Sequence, residues 1–341
     1  MSTHTQDDTV IVSAAEERDT IIEVLTAHGA SASDAGIQAD LLLEGDLRGQ
    51  HSHGIRRVAV LAERLDRGVS TSGRTPTDTW TGTARVQIDG HRGLGPVVAH
   101  HALDLILPRA EKTGVAAATI TGAGHIGMLA PYVERMAAAG FVGIVLTTSE
   151  ALVAPWGGAR AMVGTNPIGI GVPTESEPLV LDMSTAAVSA GKILDYAARG
   201  QEIPEGWAVD ADGEPTRDAA AAAGGAISPF GGAKGFALGL AFEALVGVLS
   251  ESSFGREVHG TLDTDEPPTK GDVFIALRVA EGGAALRAVT AYLEELRDEG
   301  ANGREVLVPG DRARRMRAER LANGIPLDRR LWADVNALRN P

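Results

Sequence analysis

Between residues 85 and 182, short apolar runs of strand length alternate with stretches of helical periodicity, and that alternation confines the chain to an α/β fold built on a sheet. Strands are expected at 85–89, ending at the turn signal Asp89-Gly90, and at 115–121, 142–148, 168–172 and 179–182. Helices are expected at 97–113 and 128–139 between them. Further on, 235–250 reads as a strongly apolar helix, 273–279 as a strand and 284–298 as an amphipathic helix. Residues 196–233, rich in Gly, Pro and Ala, read as an extended, loop-heavy region.

The flanks differ from this middle. Residues 1–12 read as a frayed tail. Ser13-Ala-Ala-Glu16 is a capping box ahead of Ile21, Ile22, Val24 and Leu25. Ser33 begins a second helix with Leu41, Leu42 and Leu43, and 55–67 a third, closed by Gly68. The Arg-rich tail, 311–337, reads as one helix whose charges form a solvated face.

Composition removes several function classes. With 31 Lys and Arg against 45 Asp and Glu, the formal net charge is −14. Such a chain repels nucleic acid and anionic membrane. An enzyme this acidic that handles an acidic substrate must place single cations in its site. There is no Cys, so disulfides, thiolate nucleophiles and Cys-ligated zinc are excluded. The first 12 residues carry no apolar signal segment, and no apolar run reaches the ~18 residues of a spanning helix. A cytoplasmic protein is expected.

Three segments concentrate chemistry. In Asp46-Leu-Arg48-Gly-Gln-His51-Ser52-His53-Gly54-Ile-Arg56-Arg57, histidines and arginines crowd a Gly-bracketed turn between two helices. Imidazole exchanges protons near neutral pH, and a guanidinium fork binds carboxylate. His53 and Arg57, one helical turn apart, can converge on one small molecule; a polar helix N-terminus is the competing reading. A metal site on His51, His53 and His125, as in a metallohydrolase, is a remote alternative. Gly122-Ala-Gly124-His125-Ile-Gly127 matches the dinucleotide fingerprint between a strand and a helix, but a His stands where pyrophosphate would approach, and Glu150 comes too late for a ribose-binding acid. Pro229-Phe-Gly-Gly-Ala-Lys234-Gly235 runs into the apolar helix, and a Gly-rich helix N-terminus with a Lys suits a phosphate. It lacks the spacing of a Walker A loop.

The remaining signals are turns. Ala154-Pro-Trp-Gly-Gly158 and Gly164-Thr165-Asn166-Pro167 read mainly as rigid loops, with Thr165 and Asn166 free to contact a ligand and Asn166-Pro167 able to be cis. Asp182-Met183-Ser184-Thr185 ends a strand, Gly191-Lys192 follows it, and Pro309-Gly310-Asp311 is an ordinary turn by itself.

Taken in order along the chain, these segments and Ile203-Pro-Glu-Gly-Trp207 resemble the malate/L-lactate/L-sulfolactate dehydrogenase family, which includes ureidoglycolate dehydrogenase and 2,3-diketogulonate reductase. The resemblance implies an oxidoreductase using NAD or NADP on a small 2-hydroxy or 2-keto acid, with a cofactor fold that is not Rossmann. It implies an α/β fold with a mixed central sheet: a helical domain from 1–80 with 311–341, packed on a mixed-sheet domain from 81–310. It also implies a homodimer whose partner subunit completes the site. Some members reduce cyclic imino acids such as pyrroline- or piperideine-2-carboxylate instead.

By position, the resemblance makes His53 the catalytic acid/base with Ser52 beside it. Arg57 falls on the residue that holds the substrate carboxylate. His125 falls beside nicotinamide and substrate and shares the claim to the proton. Ser149 and Thr165 fall on substrate contacts. Asp182, Met183, Ser184, Thr185, Lys234, Pro309, Gly310 and Asp311 fall on cofactor contacts. Two departures flank the pocket. Gly122 and Ala123 stand where many members have Asn, and Thr147-Thr148-Ser149 replaces Thr-Asn-Ser.

Overall fold

The computed structural model describes residues 9–280 and 283–340. Its centre is a seven-stranded sheet in the order β2 (Thr77–Trp80), β3 (Arg85–Gly93), β4 (Val115–Ala123), β11 (Asp272–Arg278), β5 (Phe141–Thr147), β6 (Ile168–Val172) and β7 (Leu179–Met183). Only β3 and β4 pair in parallel; every other neighbouring pair is antiparallel. The sheet is therefore mixed, as the resemblance implies.

Period-2 alternation sends successive side chains to two different layers. Val145, Phe274 and Ala276 join Val86, Ile88, Ala118 and Ile120 under α4 (Gly95–Thr113) and α5 (Ala130–Ala138). Their neighbours Leu146, Val273 and Ile275 face the other way and pack on Phe242, Val246 and Leu249 of α8 (Ala233–Ser250).

A second core is shared by the two ends of the chain. Residues 9–12 are not frayed: β1 (Thr9–Val12) pairs antiparallel with β12 (Ile325–Asp328), and Val12 is buried beside Ile325 and Leu327. Around this ribbon pack α1 (Ala14–Ala27), α2 (Ala32–Leu47), α3 (Val58–Asp66) and α11 (Arg329–Ala337). Ser13 caps α1 as expected, its Oγ accepting from Glu16 N–H at 3.1 Å. The cap of α2 is Ser31 rather than Ser33: Ser31 is extended and its Oγ accepts from Asp34 N–H at 3.2 Å. The reading of 1–8 lies outside the described residues.

The C-terminal tail is not one helix. Gly324 stops α10 (Asp311–Asn323), and the chain becomes β12 before α11. Nor are its arginines simply solvated. Arg317 pairs with Glu44 of α2 at 2.8 Å, Arg314 with Asp311 at 2.7 Å, and Arg320 donates to the Asp46 carbonyl. The spacing argument saw charge but not the carboxylates that α2 brings opposite.

Residues expected as loop hold a third core, on Val188, Ile193, Ile203, Ala208 and Ile227. It joins α6 (Ala190–Ala198), α7 (Ala219–Gly224) and a small sheet of β8 (Ala208–Val209), β9 (Pro215–Thr216) and β10 (Ala226–Ile227). Asp89-Gly90 does not end its strand, since β3 passes through an irregularity to Gly93. No cis peptide bond occurs among the described residues, so Asn166-Pro167 is trans. The peripheral α9 (Ala284–Asp298) completes the elements. Of the described helices only α8 is long and apolar enough to cross a membrane, with mean hydropathy 1.5 over 18 residues. Lys234 and Glu243 interrupt that run in the sequence.

Candidate active site

The turn that carries Ser52, His53 and Arg57 follows α2. His51–His53 and Ile55–Arg57 are two 3-10 turns joined at Gly54. Gly54 is required by crowding, because a Cβ there would lie 1.9 Å from Asp46 Oδ2. Opposite this turn, the Gly122–Gly127 segment leaves β4. Gly95 at the start of α4 admits it, since a Cβ would lie 2.3 Å from the His125 carbonyl oxygen.

These two segments bring His53 and His125 together. Their rings stack with centroids 5.4 Å apart and planes 29° from parallel. Ser52 Oγ is 3.0 Å from His53 Nδ1. A hydroxyl both donates and accepts, so Ser52 satisfies Nδ1 in either protonation state and leaves Nε2 for chemistry. Arg57 donates from Nε to the Ser52 carbonyl at 3.0 Å and from Nη1 to the Thr261 carbonyl at 2.7 Å. Three of its N–H groups remain, and Nη2 points to His125 Nε2 at 3.4 Å. His125 Nδ1 accepts from Gly127 N–H at 3.2 Å. A neutral ring accepting there carries its proton on Nε2. Nε2–H and the Arg57 fork then converge as donors on one spot, and what satisfies both is an oxygen of an acidic or carbonyl ligand.

Electrostatics agree with neutral imidazoles. Burial and then the Arg57 charge lower His53 to about 4. Burial, followed by Arg57, His53 and Lys270, holds His125 well below the ordinary histidine value. Behind the pair, a cavity of about 20 Å³ lies between Arg57, His125, Gln38, Leu42 and Leu94, room for about one water. A separate groove of about 660 Å³ runs past His51, Ser52, Arg56, Gly191 and Lys192. That places the Gly191-Lys192 segment across from the turn that carries Ser52 and His53.

The other expected site residues divide. Ser149 and Thr165 do meet: Ser149 Oγ accepts from Thr165 N–H at 2.9 Å and lies 3.2 Å from Thr165 Oγ1. The next residue, Glu150, ties this pair to the Arg57 side, since its Oε1 accepts from Thr261 and Leu262 N–H. Asp182 is engaged within the fold. Its Oδ2 accepts from Leu129 and Ala130 N–H at 2.7 and 2.9 Å, capping α5. The helix N-terminus that follows the Gly-x-Gly-x-x-Gly segment is therefore already filled by a carboxylate. Thr185 is turned inward, donating to the Thr165 carbonyl at 2.9 Å, and Ser184 closes a local turn with Ala186 N–H at 3.2 Å. Asp311 binds Arg297 at 2.9 Å and Arg314, while the Pro309 carbonyl accepts from Val180 N–H on β7. Met183 ends β7 and Gly310 precedes α10. Lys234 is exposed in the first turn of α8, outside the His53–His125 cluster.

Sequence reasoning missed Asp46 and Glu243. Asp46 accepts from Ile55 N–H and the His51 ring within the next nine residues, and Glu243 accepts across the chain, so neither leaves a motif. Glu243 accepts from Asn166 Nδ2 at 2.7 Å, from Gly164 N–H at 3.1 Å and from Gly255 N–H at 2.5 Å, locking the Thr165-Asn166 loop to α8. His51 does not join the other histidines. Its Nδ1 is 2.8 Å from Asp46 Oδ1 and its Nε2 faces Arg320, so no three-histidine cluster forms.

Residues 12–336 match the malate/L-lactate dehydrogenase family. The malate/(S)-sulfolactate dehydrogenase of Methanothermus fervidus is 39% identical over 94% of this chain and 95% of that protein. A solved dehydrogenase from Sinorhizobium meliloti superposes with a TM-score of 0.93 at 44% identity, over 97% of this chain and 98% of that one. Delta(1)-pyrroline-2-carboxylate reductase 2 of Burkholderia multivorans is 34% identical over 97% of this chain and 98% of that protein. These matches make the chain an oxidoreductase. The chain is a member of the malate/L-lactate dehydrogenase family.

Proposed function

We propose that this enzyme transfers a hydride between NAD or NADP and a small 2-hydroxy or 2-keto acid, with His53 as acid/base. The observation that carries this reading is the convergence of Arg57 Nη2 and His125 Nε2, 3.4 Å apart, beside the stacked ring of His53. Arg57 holds the substrate carboxylate through the N–H groups it does not give to Ser52 and Thr261. His125 Nε2–H directs the reacting oxygen. His53 Nε2 takes the hydroxyl proton in oxidation and returns it in reduction, while Ser52 keeps Nδ1 satisfied. Ser149 and Thr165 frame the far side of the substrate.

The residues fit a nicotinamide dinucleotide. The N-terminus of α8 has no side-chain cap, and exposed Lys234 stands on it, which suits a diphosphate. The Pro309 carbonyl lies against Val180 near the start of β7, and Met183 and Ser184 stand at and beyond its end, so the cofactor contacts carried over to them would run along that edge strand. When bound, the cofactor supplies the hydride acceptor or donor. The mixed sheet and the Asp182 cap on α5 both support a cofactor seat other than the Rossmann one.

The core shared by β1, β12 and the flanking helices supports a division into a helical domain, from 1–80 with 311–341, and a mixed-sheet domain from 81–310. A homodimer is supported by α8. Leu238, Leu240, Leu245 and Val248 are 40–71% exposed, and the charge between Lys234 and Glu251, Glu243, is buried. An exposed apolar face of this kind marks an interface.

Reduction of a cyclic imino acid is the second reading, favoured by the relative in Burkholderia; the same Arg57 would hold its carboxylate. Oxidation of NADH and NADPH, followed by nicotinamide absorbance, separates the two against oxaloacetate, pyruvate, sulfopyruvate, oxalurate, diketogulonate and a cyclic imino acid. Turnover of a keto acid supports the first reading and turnover of the imine alone the second. Cofactor binding without turnover of any of them overturns both.

A further inference from the structure

The turn that carries Ser52 and His53 has little regular structure to hold it, since two 3-10 turns meet at Gly54. His53, Gly54 and Arg57 N–H donate within the turn, to the carbonyls of Gln50, His51 and Gly54, whereas Ile55 N–H and the His51 side chain find their acceptor outside it. One side chain accepts from both. Asp46, in the last turn of α2, is 1% exposed. Its Oδ1 accepts from His51 Nδ1 at 2.8 Å, and its Oδ2 accepts from Ile55 N–H at 2.5 Å. The two acceptors bracket Ser52, His53 and Gly54. A change at Asp46 therefore reaches His53 through the turn and not through contact with substrate.

Two further elements close on this carboxylate. From α10, Arg320 donates to the Asp46 main-chain carbonyl and sits 3.4 Å from His51 Nε2. From α1, Glu17 faces the Asp46 side chain with no exposed surface at all. Neither Glu17 oxygen meets an N–H or hydroxyl donor. Two buried carboxylates side by side cannot both ionise, so one must hold a proton. Asp46 already accepts twice as an acceptor-only group. Glu17 is the partner left to donate. Burial first, and Asp46 next, push Glu17 up to about 10.

We propose that Asp46 is a positioning residue for His53, and that Glu17 supports it from α1 as a neutral carboxylic acid whose proton is donated to Asp46. This rests on the reading of His53 as the acid/base. The α1–α2 pair then does more than complete a core. It carries a proton that stays in place through the reaction and fixes the acceptors that aim the imidazole.

The test combines steady-state kinetics, thermal melting and the titration of the His53 ring by NMR in full-length protein. Asp46→Asn turns one acceptor atom into a donor and so releases either His51 or Ile55. It should lower kcat roughly 10²-fold, the size of a small misplacement of a catalytic group. KM for the acid should stay within about threefold, since Arg57 is untouched. The His53 titration should rise toward the ordinary histidine value as the freed ring gains solvent. Glu17→Gln keeps a donor facing Asp46 and should hold kcat within about threefold of wild type. If Asp46→Asn does not fold, His51→Ala severs one bracket from a side chain that is 46% exposed and should still lower kcat with KM unchanged. An unchanged kcat per folded molecule in Asp46→Asn or its stand-in would overturn the positioning role. A Glu17→Gln variant as slow as Asp46→Asn would overturn the neutral carboxyl. Should the wild-type enzyme turn over no acid or imine, the hydride-transfer reading fails by itself. The His53 titration still decides this inference, which falls if Asp46→Asn leaves that titration where it was.

Discussion

The rings of His53 and His125 stack at 5.4 Å, and both face the single guanidinium of Arg57. Burial first, and then the Arg57 charge, favour the neutral ring, and His53 is lowered to about 4. A substrate carboxylate on Arg57 cancels the second of these causes and not the first. The histidine pKa should therefore be higher in the substrate complex than in the free enzyme. For hydroxy-acid oxidation, the acid limb of the kcat profile should lie at higher pH than the acid limb of kcat/KM, because the former reports the complex and the latter the free enzyme. Coincident limbs would separate Arg57 from the substrate carboxylate.

The same shift has a consequence for stability. The unfolded chain takes up the His53 proton near pH 6.5 and the folded chain near 4. Between these values the unfolded state binds more protons, so stability falls as pH drops from 6.5 toward 4. Burial moves His125 in the same direction. Melting temperatures across this window should fall with acid, and replacing both histidines by Gln should flatten the slope. An equal slope in the double variant would place the acid sensitivity elsewhere.

Arg57 and Arg64 line one cavity yet should respond differently to substitution. Arg57 keeps three N–H groups free of protein acceptors. Arg64, 2% exposed, gives its guanidinium to Ser70 Oγ at 3.1 Å and to the carbonyls of Asp263 and Glu266. Arg57→Lys loses a two-pronged grip that a point charge cannot replace, and kcat/KM should fall roughly 10²-fold, mostly through KM. Arg64→Lys removes the donors of two part-buried carbonyls and of Ser70 Oγ and should cost about 1–2 kcal/mol of stability with KM unchanged. A KM effect at Arg64 in kinetics, or its absence at Arg57, would reverse these assignments.

Local pattern made the α/β middle legible, because each strand there is a run of apolar residues and each helix an amphipathic stretch. The 9–12 strand was not legible, since its partner 325–328 lies at the other end of the chain and only pairing makes either a strand. The three-stranded unit after α6 failed for a similar reason, its strands being two residues long. In the site, His53 and Arg57 could be singled out by side-chain chemistry and by spacing. Asp46 and Glu243 could not, because an acceptor for main-chain N–H groups leaves no motif. Asp182 was singled out as a cofactor contact, but its helix-capping bonds through Oδ2 to Leu129 and Ala130 N–H were not legible, since they join residues more than fifty apart.

Asp311 repeats that lesson and gives a direct measurement. Its carboxylate is held to about 2, chiefly by Arg297 and also by Arg314 and Val308 N–H. A depressed carboxylate stabilises above its unfolded value, and the contribution is lost as pH falls toward 2. Asp311→Asn should lower stability by about 1–2 kcal/mol at neutral pH, a figure discounted for the solvent around Arg297. Dissociation of NADH, read by fluorescence, should change less than about threefold, the cofactor meeting this turn through main chain. A large loss of NADH affinity at full stability would put the carboxylate itself on the cofactor.

The apolar face of α8 makes the last prediction. Val248 is 71% exposed and Leu240 47%, on a helix whose inner face is fixed to the sheet by Val246 and to the Thr165-Asn166 loop by Glu243. Nothing in the fold of one chain requires these outer side chains to be apolar. Burying each against a second copy is worth ~1.5–3 kcal/mol, and a twofold axis counts every residue twice. Val248→Glu together with Leu240→Glu should therefore turn a dimer into a monomer by light scattering after size exclusion, at a melting temperature close to that of other monomeric variants. If the partner also completes the site, turnover should fall with the dimer and recover as protein concentration rises in the single variants. A variant pair that stays dimeric would move the interface off α8.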